Sequence, residues 1–430
     1  MLLLAVVFLA YSAALFQSKG ERSEWNECFV RASRHMLAHE AIHRADEGWE
    51  YSYPPSMALL AAPLAGFSTT GSLLGWWAAN VVAAGAWFVC SWRLAGGPGL
   101  LRVPAVWCLI LAVGFITSVR WSLTTLEHQQ FDLVIAALLM GGCYLLWRGQ
   151  SLGCGALIGA AAAMKCTPLL FAPYLLWRRK PGAALLLVAV AVGLNALPDL
   201  LLPQAGGGSY LVDWVRFVRN ELGPSAPGTW RSDLLLNQSL AGFFNRLARF
   251  GLPLSTAALQ AEPVAAWTIP WLRLATYGTG LLMLAVSAWR VGKAWQPPQI
   301  VSAREPLPID ATRLRVGWEA SVVVCLMLLL SPMSSKAHYV VLFLPCLMLA
   351  RQLVEQPSTA IRVIHLLLLV CGPLTLKGLT GKPLGDLTMA WGLPTFFVVV
   401  AWFGACRALG PQTVKSLRPA RKTLPIKRAA

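Results

Sequence analysis

Ten stretches of this chain carry no formally charged side chain: 1–17, 51–92, 103–119, 133–147, 181–198, 274–289, 320–335, 337–350, 363–376 and 387–406. A helix rises about 1.5 Å per residue, so crossing a hydrocarbon core of about 30 Å takes about 20 apolar residues. Several runs fall short of that length, but flanking Arg, Lys and Trp side chains reach or anchor at the headgroups. Trp25, Trp92, Trp121, Trp147 and Trp177 stand near such boundaries. With 57% hydrophobic and 13% charged residues over 430 positions, a soluble domain is excluded. The pattern predicts an all-α polytopic membrane protein of about ten full spans. The first run lacks a basic n-region, which favours a retained helix over a cleaved signal.

A net charge of +17 would suggest nucleic acid in a soluble protein. In a membrane protein the same excess is a topology signal, because Lys and Arg stay on the cytoplasmic side; no nucleic-acid partner is expected. With the N-terminus inside, Arg93, Arg102 and Arg148 fall inside. A single crossing by 152–177 would put Arg178, Arg179 and Lys180 outside, and every later basic loop with them. A broken hairpin over 152–177 keeps all the basic clusters inside. Each arm then has only about a dozen residues, too few to span at about 1.5 Å each. Re-entrant backbone of this kind is tolerated where protein or a water-filled cavity surrounds it. Lys165, alone in an uncharged stretch, would sit at the hairpin tip near the outer face. An isolated ammonium there is costly, at least about 2.5 kcal/mol on insertion scales, so methionine at 165 is expected to spare or improve folding.

The organisation that follows is one integral domain over 1–408, with a first outer loop at 18–53, a long outer loop at 203–266 and a basic cytoplasmic tail at 409–430. The first outer loop holds Glu21, Glu24, Glu27, Glu40, Asp46, Glu47 and Glu50, seven of the 19 acidic residues. A functional site is expected on that outer face.

Several segments resemble a family. "EWNECFVRAS" at 24–33, followed by "YSYPPSMALLAAPLAGF" at 51–67, is similar to the first-loop pattern of glycosyltransferase family 87, which includes polyprenol-phosphate-mannose-dependent mannosyltransferases. "HQQFDLVIAALL" at 128–139 resembles the family's Gly-Gln-x-Asn segment, with Gln129 in place of Gly and Asp132 in place of Asn. "GALIGAAAAMKCTPLL", "NQSLAGFFNRL" at 237–247 and "LLLSPMSSKAHYVVLFLPC" follow in the family's order. Each motif alone is weak; five in order are fairly specific, over about residues 1–350. The resemblance implies a GT-C-type membrane fold and transfer of a hexose, mannose first among them. The donor it implies is a polyprenyl-phosphate sugar and the acceptor a lipid or glycan hydroxyl. It also points to the plasma (inner) membrane of a bacterium, with membrane lipids around the protein and the site on the extracytoplasmic face.

Inverting transfer requires a carboxylate to take the acceptor's proton and cations or N–H donors to stabilise the departing phosphate. The family's essential acid is an aspartate, and spacing to Ala32 puts Glu24 at its position; Glu27, one helical turn on, is the alternative. By the same resemblance Lys165, His338, Lys336 and Arg246 are candidate donor-phosphate contacts, and Tyr53, Gln130, Asp132 and Asn237 candidate pocket residues. Plainer roles stand beside these. Glu24 and Glu27 are also ordinary loop acids, Lys165 a snorkelling lysine, His338 an interfacial histidine, and Lys336 and Arg246 surface residues. Gln130 and Asp132 suit a helix start, and Asn237 suits loop ordering.

His35, His39 and His43 recur at i, i+4 and i+8, a spacing that can bind metal on a helix face. Arg34 and Arg44 beside them favour instead an amphipathic helix lying on the headgroups. No metal and no cofactor are expected. The ten cysteines contain no CxxC pair, so neither a disulfide framework nor zinc is predicted. The rival function is a polytopic transporter or flippase of a lipid-linked sugar, but no second copy of the hairpin is visible, as internal repeats would require.

Overall fold

The computed structural model describes residues 10–14, 16, 23–44, 47, 50–97, 104–222, 227–228, 235–259, 264–292 and 311–410. Among them all regular structure is helical. A π-helical turn (Trp25–Val30) leads into α1 (Arg31–Leu37), followed by α2 (Pro55–Ala65), α3 (Thr69–Leu94), α4 (Pro104–Glu127), α5 (Asp132–Trp147) and α6 (Ser151–Met164). A 3-10 turn (Thr167–Leu170) opens α7 (Phe171–Trp177). Then come α8 (Pro181–Leu201), α9 (Tyr210–Leu222), α10 (Leu240–Phe250), α11 (Ile269–Gly292) and α12 (Ala311–Leu329). A longer 3-10 stretch (Lys336–Leu342) runs into α13 (Phe343–Glu355), before α14 (Thr359–Leu374), α15 (Lys377–Ala390) and α16 (Leu393–Ala408).

Five of the described helices are long and apolar enough to cross a membrane, and the pair α14–α15, bent by 94°, brings the number to six. The protein is therefore an integral membrane protein, but length and composition alone do not reach the ten full spans expected. Most of the first apolar run, the loop 293–310 and the tail at 411–430 lie outside the described residues.

The chain reverses at Lys165. Helices α6 and α8 lie side by side and run the same way. A Cβ added to Gly155 would sit 2.3 Å from the carbonyl oxygen of Ala183, and one on Gly159 2.6 Å from that of Leu187. Further along, Asn195 Nδ2 donates to Ala163 O at 3.1 Å. Glycine at both positions lets the backbones approach this closely, as in small-residue helix pairs in membranes. Two parallel neighbours require the chain between them to come back. Lys165 is extended (φ −158°, ψ 121°) and ends α6; α7 then returns towards the end where α6 began. Helices α6 and α7 are thus two short arms broken at Lys165.

Basic side chains gather at that end. Arg178 and Arg315 clasp the two oxygens of Glu319 at 3.2 and 2.7 Å, and Tyr174 donates to the same carboxylate at 2.9 Å. Glu319 is fully buried, a site where a carboxylate persists only when paired and hydrogen-bonded. Arg315 also donates to Val291 O, and Arg351 to Ala95 O. The Arg313 guanidinium lies over the Trp147 ring. These contacts tie the ends of α3, α5, α7, α11, α12 and α13 into one basic pole. At the opposite pole lie the turns at 128–131, 165–167 and 331–338.

The histidine stretch departs from expectation. Helix α1 stops at Leu37, and His39 takes a left-handed backbone (φ 61°) that turns the chain. The three imidazoles therefore do not share a helix face. His35 bridges Glu40 and Glu47 at 2.9 and 2.8 Å, while His39 meets Pro203 O and His43 meets Tyr53 O. Local polar pairing ended the helix that spacing alone suggested.

Candidate active site

Four chain segments converge at the pole opposite the basic one. The first is the π-helical turn, held by Trp25. Its indole stacks on Trp76 with centroids 4.0 Å apart and donates to Ser72 Oγ at 2.9 Å. With Trp25 fixed, the preceding Glu24 faces inward. The second is the α4–α5 turn, where Gln129 adopts φ 55°. Its carbonyl accepts from Trp76 Nε1 at 2.8 Å, and the reversal places Gln130 and Asp132 side by side. The third is the hairpin tip with Lys165. The fourth is the loop from Ser331 to His338.

The side chains meet as a chain of polar contacts. Gln130 Nε2 donates to Glu24 Oε1. Lys165 Nζ donates to Asp132 Oδ1 at 2.9 Å, with side-chain exposures of only 14% and 4% for the two partners. His338 Nε2 stands 4.0 Å from Asp132 Oδ2, and its Nδ1 accepts the Ser335 N–H at 3.1 Å. The rings of Phe29, Tyr53 and Phe131 pack at centroid distances of 5.0 to 5.2 Å, forming an aromatic wall beside Glu24 and Asp132. A cleft opens between Asp132, Lys165, Thr167, Ser331, Ser334 and His338, backed by apolar residues of α5 and α12.

Burial raises the Glu24 carboxyl from 4.5 to about 7. The nearby Asp132 charge pushes the same way, while the Gln130 hydrogen bond and the Lys165 charge oppose it. A carboxylate titrating near neutrality suits general-base work, since efficiency is greatest when pKa approaches the operating pH. Lys165 and the His338 imidazole supply a cation and an N–H donor nearby. Together the group can take a proton on one side and stabilise an oxyanion on the other.

The remaining candidates are placed elsewhere. The Glu27 side chain is 41% exposed and lies 3.7 Å from Arg31, outside the cluster. Asn237 donates to Pro332 O at 2.9 Å and accepts from Ser334 N at 3.3 Å, so it shapes the 331–335 loop from behind the cleft. Arg246 is fully buried and donates to Ala390 O, Asn237 O and Gln238 Oε1. Burial lowers its guanidinium to about 10. It clamps α10 against the 237–238 turn and the end of α15. Lys336 shares the 3-10 stretch with His338, but its ammonium approaches Thr375 O at 3.5 Å rather than lining the cleft. Sequence reasoning missed Thr167, Ser331 and Ser334 as cleft residues. The two serines stand in "SPMSSKAH", and that motif was their only signal. Among the described residues no group of three or more His, Cys, Asp or Glu could hold a metal ion.

A family model described as Glycosyltransferase family 87 matches residues 51–304. The match contains Tyr53, Gln130, Asp132, Lys165, Asn237 and Arg246, whereas Glu24 and His338 fall outside it. No curated protein matches the chain. Among solved structures, the crystal structure of ArnT from Cupriavidus metallidurans bound to undecaprenyl phosphate is similar at 13% identity and a TM-score of 0.37. That alignment covers 94% of this chain and 76% of that one.

Proposed function

The chain belongs to glycosyltransferase family 87, and from that premise we propose that it moves a hexose, mannose first among candidates, from a polyprenyl-phosphate donor to a lipid or glycan hydroxyl. In this mechanism Glu24 removes the acceptor's proton, and the acceptor oxygen attacks the anomeric carbon from the face opposite the phosphate, inverting it. Lys165 and His338 hold the phosphate oxygens as negative charge develops there. Preorganised donors aimed at developing charge are commonly the largest single contribution to such catalysis. The observation that carries the proposal is the convergence of Glu24–Gln130 and Asp132–Lys165–His338 at one pole, from segments up to 314 positions apart.

The basic pole would face the cytoplasm and the site the opposite side, because basic residues stay inside. The fold would be of the GT-C type, with α6–α7 as a re-entrant hairpin. Purified protein incubated with labelled polyprenyl-phosphate mannose and membrane lipid extract tests the activity. Label appearing in a new glycolipid or glycan, and lost in Glu24→Gln, supports the proposal. Translocation of intact donor across vesicles without transfer would overturn it in favour of a flippase. A cysteine at position 180 that reacts with an impermeant reagent from outside intact cells would overturn the orientation.

A further inference from the structure

Asp132 is an odd residue to find against a phosphate cradle. One of its oxygens neutralises Lys165 at 2.9 Å. The other, Oδ2, is buried without a hydrogen-bond partner, since the 4.0 Å gap to His338 Nε2 is too long for one. The state of His338 follows from its contacts. Its Nδ1 accepts the Ser335 N–H, so that nitrogen carries no proton and the imidazole is neutral with its hydrogen on Nε2. The cradle therefore holds one cation, Lys165, and one anion, Asp132, for a net charge of zero.

Charge on the phosphate changes during transfer. The acceptor oxygen bonds to the anomeric carbon while the carbon–oxygen bond to phosphate breaks. The bonding pair leaves with the phosphate oxygen, and the acceptor's proton goes to Glu24. A phosphodiester monoanion thus becomes a phosphomonoester, which is largely a dianion at neutral pH because its second ionisation lies near about 6. When Glu24 later gives its proton to solvent, the site gains another negative charge.

Resting on the lipid-phosphate-donor reading above, we propose that Asp132 makes the cleft select phosphate by charge, accepting the diester donor and expelling the monoester product. A cradle of Lys165 and His338 alone would hold the dianion more tightly than the monoanion, and product would block the site. Asp132 cancels the Lys165 attraction for the extra charge, and the Glu24 carboxylate, once its proton has gone to solvent, tips the order towards the diester.

The test compares two ligands on purified full-length protein: polyprenyl phosphate, and its methyl ester as a stable diester that lacks the sugar. Wild-type protein should prefer the diester at about pH 8. In Asp132→Asn, which keeps the shape and loses the charge, monoester affinity should rise relative to diester by about 10- to 100-fold, as expected for one unit charge several ångströms away at an effective dielectric near 20. The wild-type protein gives an independent arm, so the proposal does not depend on the variant folding. Monoester affinity should fall relative to diester between about pH 5.5 and about pH 8, as the second phosphate proton is lost. Glu24, Lys165, His338 and Tyr53 are the titratable groups around Asp132. They act on both ligands, so the diester removes their shared effect, and running wild type and Asp132→Asn over the same pH range separates Asp132 from Glu24, which titrates at about 7. Diester binding with a ratio unmoved by Asp132→Asn, or a flat wild-type ratio across that pH range, overturns this inference alone. Binding of neither lipid to wild-type protein overturns the donor assignment and this inference with it.

Discussion

Glu24→Gln should abolish transfer and at the same time stabilise the protein, and the second effect is the more diagnostic. The amide oxygen still accepts from Gln130, so the contact that seats residue 24 survives. Loss of a general base typically costs about 10²- to 10⁴-fold in rate. The stability effect comes from the raised carboxyl. Its shift from 4.5 to about 7 corresponds to at most about 3–4 kcal/mol, at about 1.4 kcal/mol per unit. The folded state holds the proton more tightly than the unfolded chain. The resulting stabilisation is fully present below pH 4.5 and is lost as pH rises through about 7. Glutamine behaves as the neutral acid at every pH. Thermal unfolding of detergent-purified protein should therefore show the variant more stable than wild type at pH 8, with the gain vanishing near pH 4.5. Near-normal turnover would refute the base assignment, and would be decisive if Glu27→Gln were inactive instead. A gain of equal size at both pH values would refute the charge argument, leaving packing as the cause.

Removing the Gln130 hydrogen bond, as in Gln130→Leu, should move the midpoint of the rate–pH profile up by about 1–2 units, since a bond to a charged group is worth about 1.5–3 kcal/mol; a midpoint that stays or falls counts against it. Lys165→Met alone should destabilise the protein by about 3–5 kcal/mol, because Asp132 is left buried and unpaired. Adding Asp132→Asn should restore thermal stability without restoring donor affinity, and a double variant with wild-type donor affinity would remove Lys165 from phosphate binding. Lys165→Arg should fold but turn over more slowly, because a planar fork does not replace a compact ammonium at a tight turn; wild-type turnover would contradict this. Arg246→Leu should lose about 3 kcal/mol or more of stability by orphaning buried acceptors at Ala390, Asn237 and Gln238. Donor affinity in its folded fraction should be unchanged, and a selective affinity loss would return Arg246 to the phosphate site.

The ion pair at Lys165 shows where sequence reasoning stops. From the sequence, Lys165 is an isolated ammonium among alanines, and methionine looks harmless. In the fold it neutralises Asp132, 33 positions away, and the same substitution strands a buried carboxylate. Glu24 and Glu27 are likewise equivalent in sequence, two acids one turn apart. The Trp25–Trp76 stack turns one inward to Gln130 and leaves the other near Arg31 in solvent. Arg246 and Lys336 stand in motifs beside site residues, yet their side chains serve the packing of α10 and the approach to Thr375.

What the sequence determined by itself is what hydrocarbon dictates locally. Uncharged runs must be helical, basic residues should collect on one side, and the parity of those residues favours a reversal at Lys165 over a single crossing. Those rules act on each segment separately, so composition and spacing suffice. Only the tertiary structure decided which charges neutralise one another, which carboxylate is desolvated and which cations remain near a cleft. Such pairings are set by distances of a few ångströms between segments remote in sequence, and burial, rather than residue identity, fixes what each charge costs.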